Sequence, residues 1–208
     1  MYNHISGIIL SGGKSSRMGQ NKSFLRYGSE NAIERTYKLM KDMFDEVLLI
    51  TNQPELFEYI HVPIFNDLLT GFGPLSGIHS GLVHSHNNLN FVISCDMPFV
   101  TPQLIDFITN YPSLNDIIIA KADGYLQQLC GIYTKNLIKP IEKAMLKGKN
   151  EENREQEQKQ RKCNLHSLIN NFGATIIDAE KEYPAYFKEL FYNVNTIDDY
   201  KYALSRLH

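Results

Sequence analysis

The opening turn of the chain constrains it most. Residues Ile5-Ser6-Gly7-Ile8-Ile9 form a short apolar run that passes directly into Leu10-Ser11-Gly12-Gly13, and the cations Arg17 and Lys22 follow. An apolar strand that breaks into paired glycines, then small polar residues, then spaced cations predicts a strand-to-loop junction that wraps a polyphosphate. Gly12 and Gly13 permit positive φ and close approach, so main-chain N–H groups can face phosphate oxygens without a Cβ between them. Arg17 offers a planar fork to two oxygens, and Lys22 a point charge on a flexible stem. Leu10, Ser11, Gly12, Gly13 and Lys22 are therefore the expected nucleotide contacts, with Arg17 and Lys22 the expected catalytic cations.

Two familiar phosphate loops do not describe this stretch. A Walker A loop places Lys directly after its second glycine, whereas Gly19 is followed by Gln20. The dinucleotide fingerprint separates its first two glycines by one residue, and here Gly12 and Gly13 are adjacent. A plain Gly/Ser turn with solvated cations would not need so many specified positions just after a strand. The pattern L-[AS]-G-G-x-[SA]-x-R-M-G-x-x-K resembles that of the MobA family of small nucleotidyltransferases, the molybdenum cofactor guanylyltransferases. The chain departs from that pattern at Ser11, where the family usually has Ala, and at Gln20, where it often has Gly.

Bulk properties fit an enzyme of that kind and exclude other classes. At 208 residues, with 43% hydrophobic and 21% charged residues, the chain is expected to form one soluble domain over 1–208. A net charge of −2 predicts no nucleic-acid surface, and no apolar span approaches the ~20 residues that cross a membrane. With no basic region and only a short apolar run that continues into the glycine loop, the N-terminus is not expected to be an export signal. Cys95, Cys130 and Cys163 are odd in number and lack a CxxC, so neither a disulfide framework nor a zinc site is expected, and a cytoplasmic location is.

Along the chain, Ser29 or Asn31 is expected to cap a helix reaching about Phe44, with Ala32, Ile33, Tyr37, Leu39, Met40 and Phe44 on its apolar face. The run Glu46–Thr51 predicts a strand buried on both faces, whose carboxyl end brings Asn52 to a nucleotide base or ribose, unless Asn-Gln-Pro is only a turn. A short strand ending at Asp67 leads through Gly71 and Gly73 to a helix from Pro74 to about Ser85. Gly77 and Gly81 weaken that helix, so they are expected to let a flat ligand or a neighbouring strand approach. The resemblance implies that Asp67 contacts the guanine nucleotide and that Gly73 and Gly77 lie beside the acceptor.

A further strand, Asn90–Cys95, delivers Asp96 to its tip, and Met97-Pro98 makes a stiff turn before a helix capped by Thr101. A carboxylate so placed suits Mg²⁺, which favours one or two carboxylates plus phosphates and waters. The family's C-D-x-P element matches Cys95-Asp96-Met97-Pro98, which implies that Asp96 is catalytic, binds nucleotide and is the metal ligand. Asp116–Ala120 and Gln127–Tyr133 predict an antiparallel hairpin turning at Asp123-Gly124. A helix from about Lys135 to Leu146 precedes the stretch 147–162, which has no aliphatic or aromatic residue and is expected to be solvated and flexible. Arg161 and Lys162 match the family's cationic acceptor segment only loosely. A helix Leu165–Phe172 and a strand Ala174–Asp178 follow.

Near the end, Asn193-Val194-Asn195-Thr196 sits before an amphipathic helix, Ile197–Leu207. Two asparagines at i and i+2 on extended chain would point the same way and offer neutral amides to one ligand. N-x-N-T is a hallmark of the resembling family, which makes Asn193 and Asn195 acceptor-binding candidates; on its own it reads as a helix cap. The seven histidines show no metal spacing and are expected to be solvated.

The expectation is a Rossmann-like three-layer α/β domain with a mostly parallel central sheet and a small antiparallel addition. The resemblance implies transfer of GMP from Mg-GTP to the phosphate of molybdopterin-bound molybdenum, with Mg²⁺ as cofactor and GTP and molybdopterin as partners. It leaves room for molybdenum-insertion and cofactor-delivery proteins. The alternatives are a CTP-dependent molybdopterin cytidylyltransferase, a related enzyme with another phosphorylated acceptor, and a GTP-binding carrier or regulator without catalysis.

Overall fold

The computed structural model describes residues 1–12, 21–150 and 165–207. In chain order the elements are β1 (Tyr2–Leu10), β2 (Arg26–Tyr27), β3 (Glu30–Asn31), α1 (Ala32–Met43), β4 (Phe44–Ile50) and β5 (Ile64–Phe65). Then come α2 (Pro74–His84), β6 (Leu89–Ser94), α3 (Pro102–Thr109), β7 (Ile117–Ala122) and β8 (Tyr125–Thr134). The chain continues through α4 (Ile138–Asn150), α5 (Leu165–Phe172), β9 (Thr175–Asp178), α6 (Ala179–Glu182) and α7 (Ile197–Arg206).

Seven strands make one sheet in the order β5-β4-β1-β6-β8-β7-β9, and β2 with β3 makes a separate hairpin. Every neighbouring pair is parallel except those of β8, which runs antiparallel to both β6 and β7. The expected hairpin is the source of that exception. Its turn residues Asp123 and Gly124 both take positive φ, 50° and 80°, the geometry that matches a tight turn to strand twist.

Alternation along the strands divides the core into two layers, one on each face of the sheet. Ile5 and Ile9 of β1, Leu49 of β4 and Phe91 and Ile93 of β6 pack with Ile33 and Met40 of α1 and Leu104 and Ile108 of α3. Ile8 and Leu10, Ile50 and Val92 point the other way, into Leu75, Ile78 and Leu82 of α2 and Ile141 of α4. The fold is therefore a single three-layer α/β domain, with β1 an interior strand between β4 and β6. Helices press on β1 from both sides at glycines. A Cβ on Gly7 would lie 2.8 Å from Met40 of α1, and one on Gly81 of α2 would lie 2.7 Å from Ile8. What approaches the glycine face of α2 is thus the strand, through its side chains.

Several local expectations shift. Asn31 rather than Ser29 caps α1, accepting from Glu34 N at 2.9 Å while the Glu34 carboxylate accepts from Asn31 N at 2.8 Å. Phe44 opens β4 with no loop after α1, and Thr36 takes a place on the buried face by donating its hydroxyl to Ala32 O. β5 stops at Phe65, two residues before Asp67. The β2–β3 hairpin and α6 have no counterpart in the expected elements.

The histidines are not uniformly solvated, which corrects the expectation. His79, 2% exposed, lies on the inner side of α2 with Nε2 3.2 Å from Glu142. His84 stacks on Phe65 with ring centroids 4.0 Å apart. Both lie on a helix packed against the sheet, which buries His79 and half-buries His84 regardless of their polarity. Among the described residues no helix is long and apolar enough to cross a membrane. The greater part of the 147–162 stretch, with Arg161 and Lys162, lies outside the described residues, although the backbone of α4 continues to Asn150.

At Gly131 of β8 the neighbouring strand leaves no room for a side chain: an added Cβ would stand 2.4 Å from Ile118 O of β7. Backbone cannot swing aside as a side chain can. Gly131→Ala should lower unfolding free energy by about 1–3 kcal/mol, the usual scale of an overpacked core, read as a lower denaturant midpoint.

Candidate active site

Strand register assembles the site. Leu10 lies between Ile50 of β4 and Ser94 of β6. Ser11 N still donates to Ile50 O at 3.0 Å, and Cys95 N to Leu10 O at 3.2 Å. Three chains consequently leave the sheet at one edge, carrying Gly12, Asn52 and Asp96, at the carboxyl ends where open α/β sheets take their ligands. Because pairing continues through Ser11, Gly12 does not adopt the left-handed φ expected of it. It is exposed, and nothing lies within 4 Å of its Cβ position. Gly13, Arg17 and Gln20 lie outside the described residues.

Lys22 returns the chain to this edge. Asn21 accepts a hydrogen bond from Ser23 N at 3.1 Å, capping the one-turn 3₁₀ helix Lys22–Phe24. The Lys22 ammonium donates to Asn195 Oδ1 at 2.5 Å and stands 3.7 Å from Asp96 Oδ2. Asp96 is oriented from behind, its Oδ1 accepting from Ser94 Oγ at 2.7 Å. The Lys22 and Asp96 side chains keep 22% and 19% of their surface exposed, so the pair is sheltered yet open to a ligand.

Asn195 arrives from the far end of the sequence. Val194 N donates to Asp96 O at 2.9 Å, and the Val194 side chain is buried with Leu25, Tyr27, Ala32, Phe99 and Ala203. Thr196 is the cap of α7, and Asp199 Oδ2 accepts from both Asn195 N at 2.9 Å and Thr196 N at 2.8 Å. The two asparagines do not share a partner as their spacing suggested. Asn193 donates to Phe191 O at 3.0 Å, because this segment is irregular chain folded on itself and not a strand.

A second polar pair lies beside the first. Asn52 Nδ2 donates to Asp67 Oδ2 at 2.8 Å, and Asp67 N donates back to Asn52 Oδ1 at 3.1 Å. Burial pushes the Asp67 carboxyl above its usual range, and the Asn52 amide opposes this only in part. Gly77 of α2 is buried below, where a Cβ would lie 3.0 Å from Leu10 and 3.7 Å from Asp67 Oδ1. Gly73, exposed with φ of 59°, turns the chain into α2.

The structure thus brings together Gly12, Lys22, Asp96 and Asn195, with Asn52 and Asp67 beyond the neighbouring strand ends and Gly77 on α2 beside them. Leu10 and Ser11 are buried and form the floor. The sequence reading missed Ser23, Ser94 and Cys95, which support these groups from beneath. Ser94 had a signal, since it precedes Asp96 by two positions at a strand tip.

The donors suit a hard divalent cation. Asp96 supplies a carboxylate and Asn195 a neutral amide oxygen, both within reach of one ammonium. Among the described residues no three His, Cys, Asp or Glu side chains gather as a metal cage. One carboxylate with oxygen neighbours is the arrangement of a cation that takes its remaining ligands from phosphate and water.

Among the described residues this edge offers the exposed Gly12, the Lys22 ammonium and the Asp96 carboxylate, groups that suit a reaction in which charge moves along a phosphate chain. That defines the class as nucleotidyltransferase. The family model described as MobA-like NTP transferase domain matches residues 7–162, and the chain belongs to this family. Similar to it is a protein of Clostridium perfringens (strain 13 / Type A) named "Probable molybdenum cofactor guanylyltransferase", 36% identical over 94% of each chain. A Natranaerobius thermophilus protein of the same name is 30% identical over 98% of this chain and 96% of its own. Among solved structures, molybdopterin-guanine dinucleotide biosynthesis protein A from Archaeoglobus fulgidus superposes with a TM-score of 0.77 over 97% of both chains at 22% identity.

The Asn52–Asp67 pair has a measurable consequence. The folded protein holds the Asp67 proton more tightly than the unfolded chain, so Asp67 favours folding at low pH. That contribution is lost as pH rises from 3.8 through the raised value. Asn52→Ala removes the one hydrogen bond that lowers it, and a carboxyl ¹³C titration should show Asp67 raised further.

Proposed function

We propose that the protein transfers GMP from Mg-GTP to the phosphate of molybdopterin-bound molybdenum, releasing pyrophosphate and forming the guanine dinucleotide cofactor. The carrying observation is the shared ammonium, with Lys22 Nζ 2.5 Å from Asn195 Oδ1 and 3.7 Å from Asp96 Oδ2. Relatives named as guanylyltransferases over nearly the whole chain support guanine over cytosine.

The chemistry demands positioning more than acid–base work. An acceptor phosphate oxygen forms a bond to the α-phosphorus, the bond from that phosphorus to the bridging oxygen breaks, and the electron pair leaves with pyrophosphate. Rate then comes from alignment and from neutralising the charge that grows on the leaving group. Main-chain N–H groups of Gly12 and Gly13 face the phosphates in this reading, with Ser11 beneath them because its N–H is taken by Ile50 O, and Arg17 and Lys22 take up the growing charge. Asn52 and Asp67 hold the guanine nucleotide, with Leu10 beneath it. Gly73, Asn193 and Asn195 border the acceptor, while Gly77, expected there, lies beneath against Leu10 and Asp67. Asp96 would hold Mg²⁺, which when bound supplies Lewis-acid screening of the phosphate oxygens. The two buried free thiols Cys95 and Cys130 accord with a cytoplasmic setting, where insertion and delivery proteins would be the further partners.

Lys22→Ala and Asp96→Ala should each leave the far-UV circular dichroism unchanged and lower turnover by about two orders of magnitude, the scale of removing one electrostatic stabiliser. Pyrophosphate release with GTP, Mg²⁺ and molybdenum-loaded molybdopterin is the assay, with CTP run beside GTP. Full turnover in either variant would refute the assignment. Tight GTP binding without pyrophosphate release would recast the protein as a carrier.

A further inference from the structure

Beneath the site lie three side chains that no step above uses. Ser11, Ser23 and Cys95 are 2%, 2% and 6% exposed. The Ser23 hydroxyl is 2.7 Å from Ser11 Oγ and 3.3 Å from Cys95 Sγ. Each member is the chain neighbour of a group that faces the ligand: Ser11 precedes Gly12, Ser23 follows Lys22, and Cys95 precedes Asp96. The trio therefore joins the end of β1, the Lys22 turn and the end of β6 at one buried point.

That point matters most for Lys22, because its turn is not part of the sheet. The tips of β1 and β6 are already fixed to one another by Cys95 N to Leu10 O. The turn's internal backbone bonds, Phe24 N to Asn21 O and Leu25 N to Lys22 O, fix its shape. Ala32 N to Leu25 O at 2.9 Å and Asn21 Nδ2 to Gln53 Oε1 at 3.4 Å tie its two ends to α1 and to the segment after β4, and not to the tips of β1 and β6. Phe24 stacks on Phe57 and Leu25 is buried, but apolar contact is non-directional and tolerates sliding. A hydrogen bond restricts both distance and angle. Ser11 Oγ and Cys95 Sγ contact the Ser23 hydroxyl from two different strand ends, so it is held in direction as well as in distance.

We infer that Ser23 is a positioning residue: its hydroxyl, received between Ser11 and Cys95, sets where the Lys22 ammonium stands relative to Asp96 and the glycine turn. Ser11, at the end of β1, is half of that receiver. The inference rests on the proposed transfer reaction and adds to it the device that aligns its cation.

The test is a pair of comparisons by the pyrophosphate assay. Ser23→Ala should lower kcat by about tenfold to a hundredfold, the effect of a catalytic group displaced by up to about 1 Å, with a much smaller change in KM for GTP. Made in a Lys22→Ala background, the same substitution should cost nothing further, since the group it aligns is gone. Unchanged kcat in Ser23→Ala, or an equal loss with and without Lys22, overturns the inference. Should Ser23→Ala fail to fold, Ser11→Ala removes one receiving group and should show a smaller loss with the same cancellation. If the unaltered protein shows no turnover, the reaction is refuted. The alignment is then read from the Lys22 side-chain NMR signals, which shift in Ser23→Ala if Ser23 sets its place and stay fixed if it does not.

Discussion

Everything at the site depends on the register of three parallel strands. With Leu10 held between Ile50 and Ser94, the residues after each strand must leave at one height along one edge. A slip of one residue would turn Ile8 and Leu10 toward α1 and Ile9 toward α2, and both core layers would lose their fit. The hydrophobic interior therefore fixes the placement of Asp96 and Asn52 as strictly as it fixes the fold. Gly7 and Gly81 tighten this by letting a helix press on each face of β1 with no room for another side chain.

The sheet alone does not complete the site. Lys22 stands on a single turn outside it, and Asn195 on the approach to the last helix, 173 residues away in sequence. A small separate cluster of Leu25, Tyr27, Ala32, Phe99, Val194 and Ala203 holds these two segments together. The Val194 N–H bonds to the carbonyl of Asp96 itself, so the last helix is registered against the very residue whose carboxylate it adjoins. Charge and place are thus separately supplied: the sheet gives the carboxylate, and the outlying cluster brings the ammonium and amide to it. A reaction that relies on alignment is well served by a site whose groups are each held from below by buried contacts.

The strand-to-glycine turn, the buried runs of β4 and β6, the tight turn at Asp123-Gly124 and the helix of Leu165–Phe172 were all legible because each is a local pattern of period, cap or turn chemistry. So was the family, since its motif residues sit at strand tips whatever the details of packing. The candidate residues Lys22, Asp96 and Asn195 could be named from sequence. Their mutual contact could not, because it is made by chain segments that only the sheet and the Val194 cluster bring within range.

Sequence by itself determined an α/β domain whose first loop offers glycines and cations at the end of a buried strand. Periodicity and turn chemistry act over a few residues, so they can be read in order along the chain. Only the tertiary structure decided that Asn193 turns back on its own backbone while Asn195 meets Lys22, that His79 is buried, and that Ser23 links Ser11 to Cys95. These outcomes depend on what packs opposite each side chain, and that is a property of segments distant in sequence.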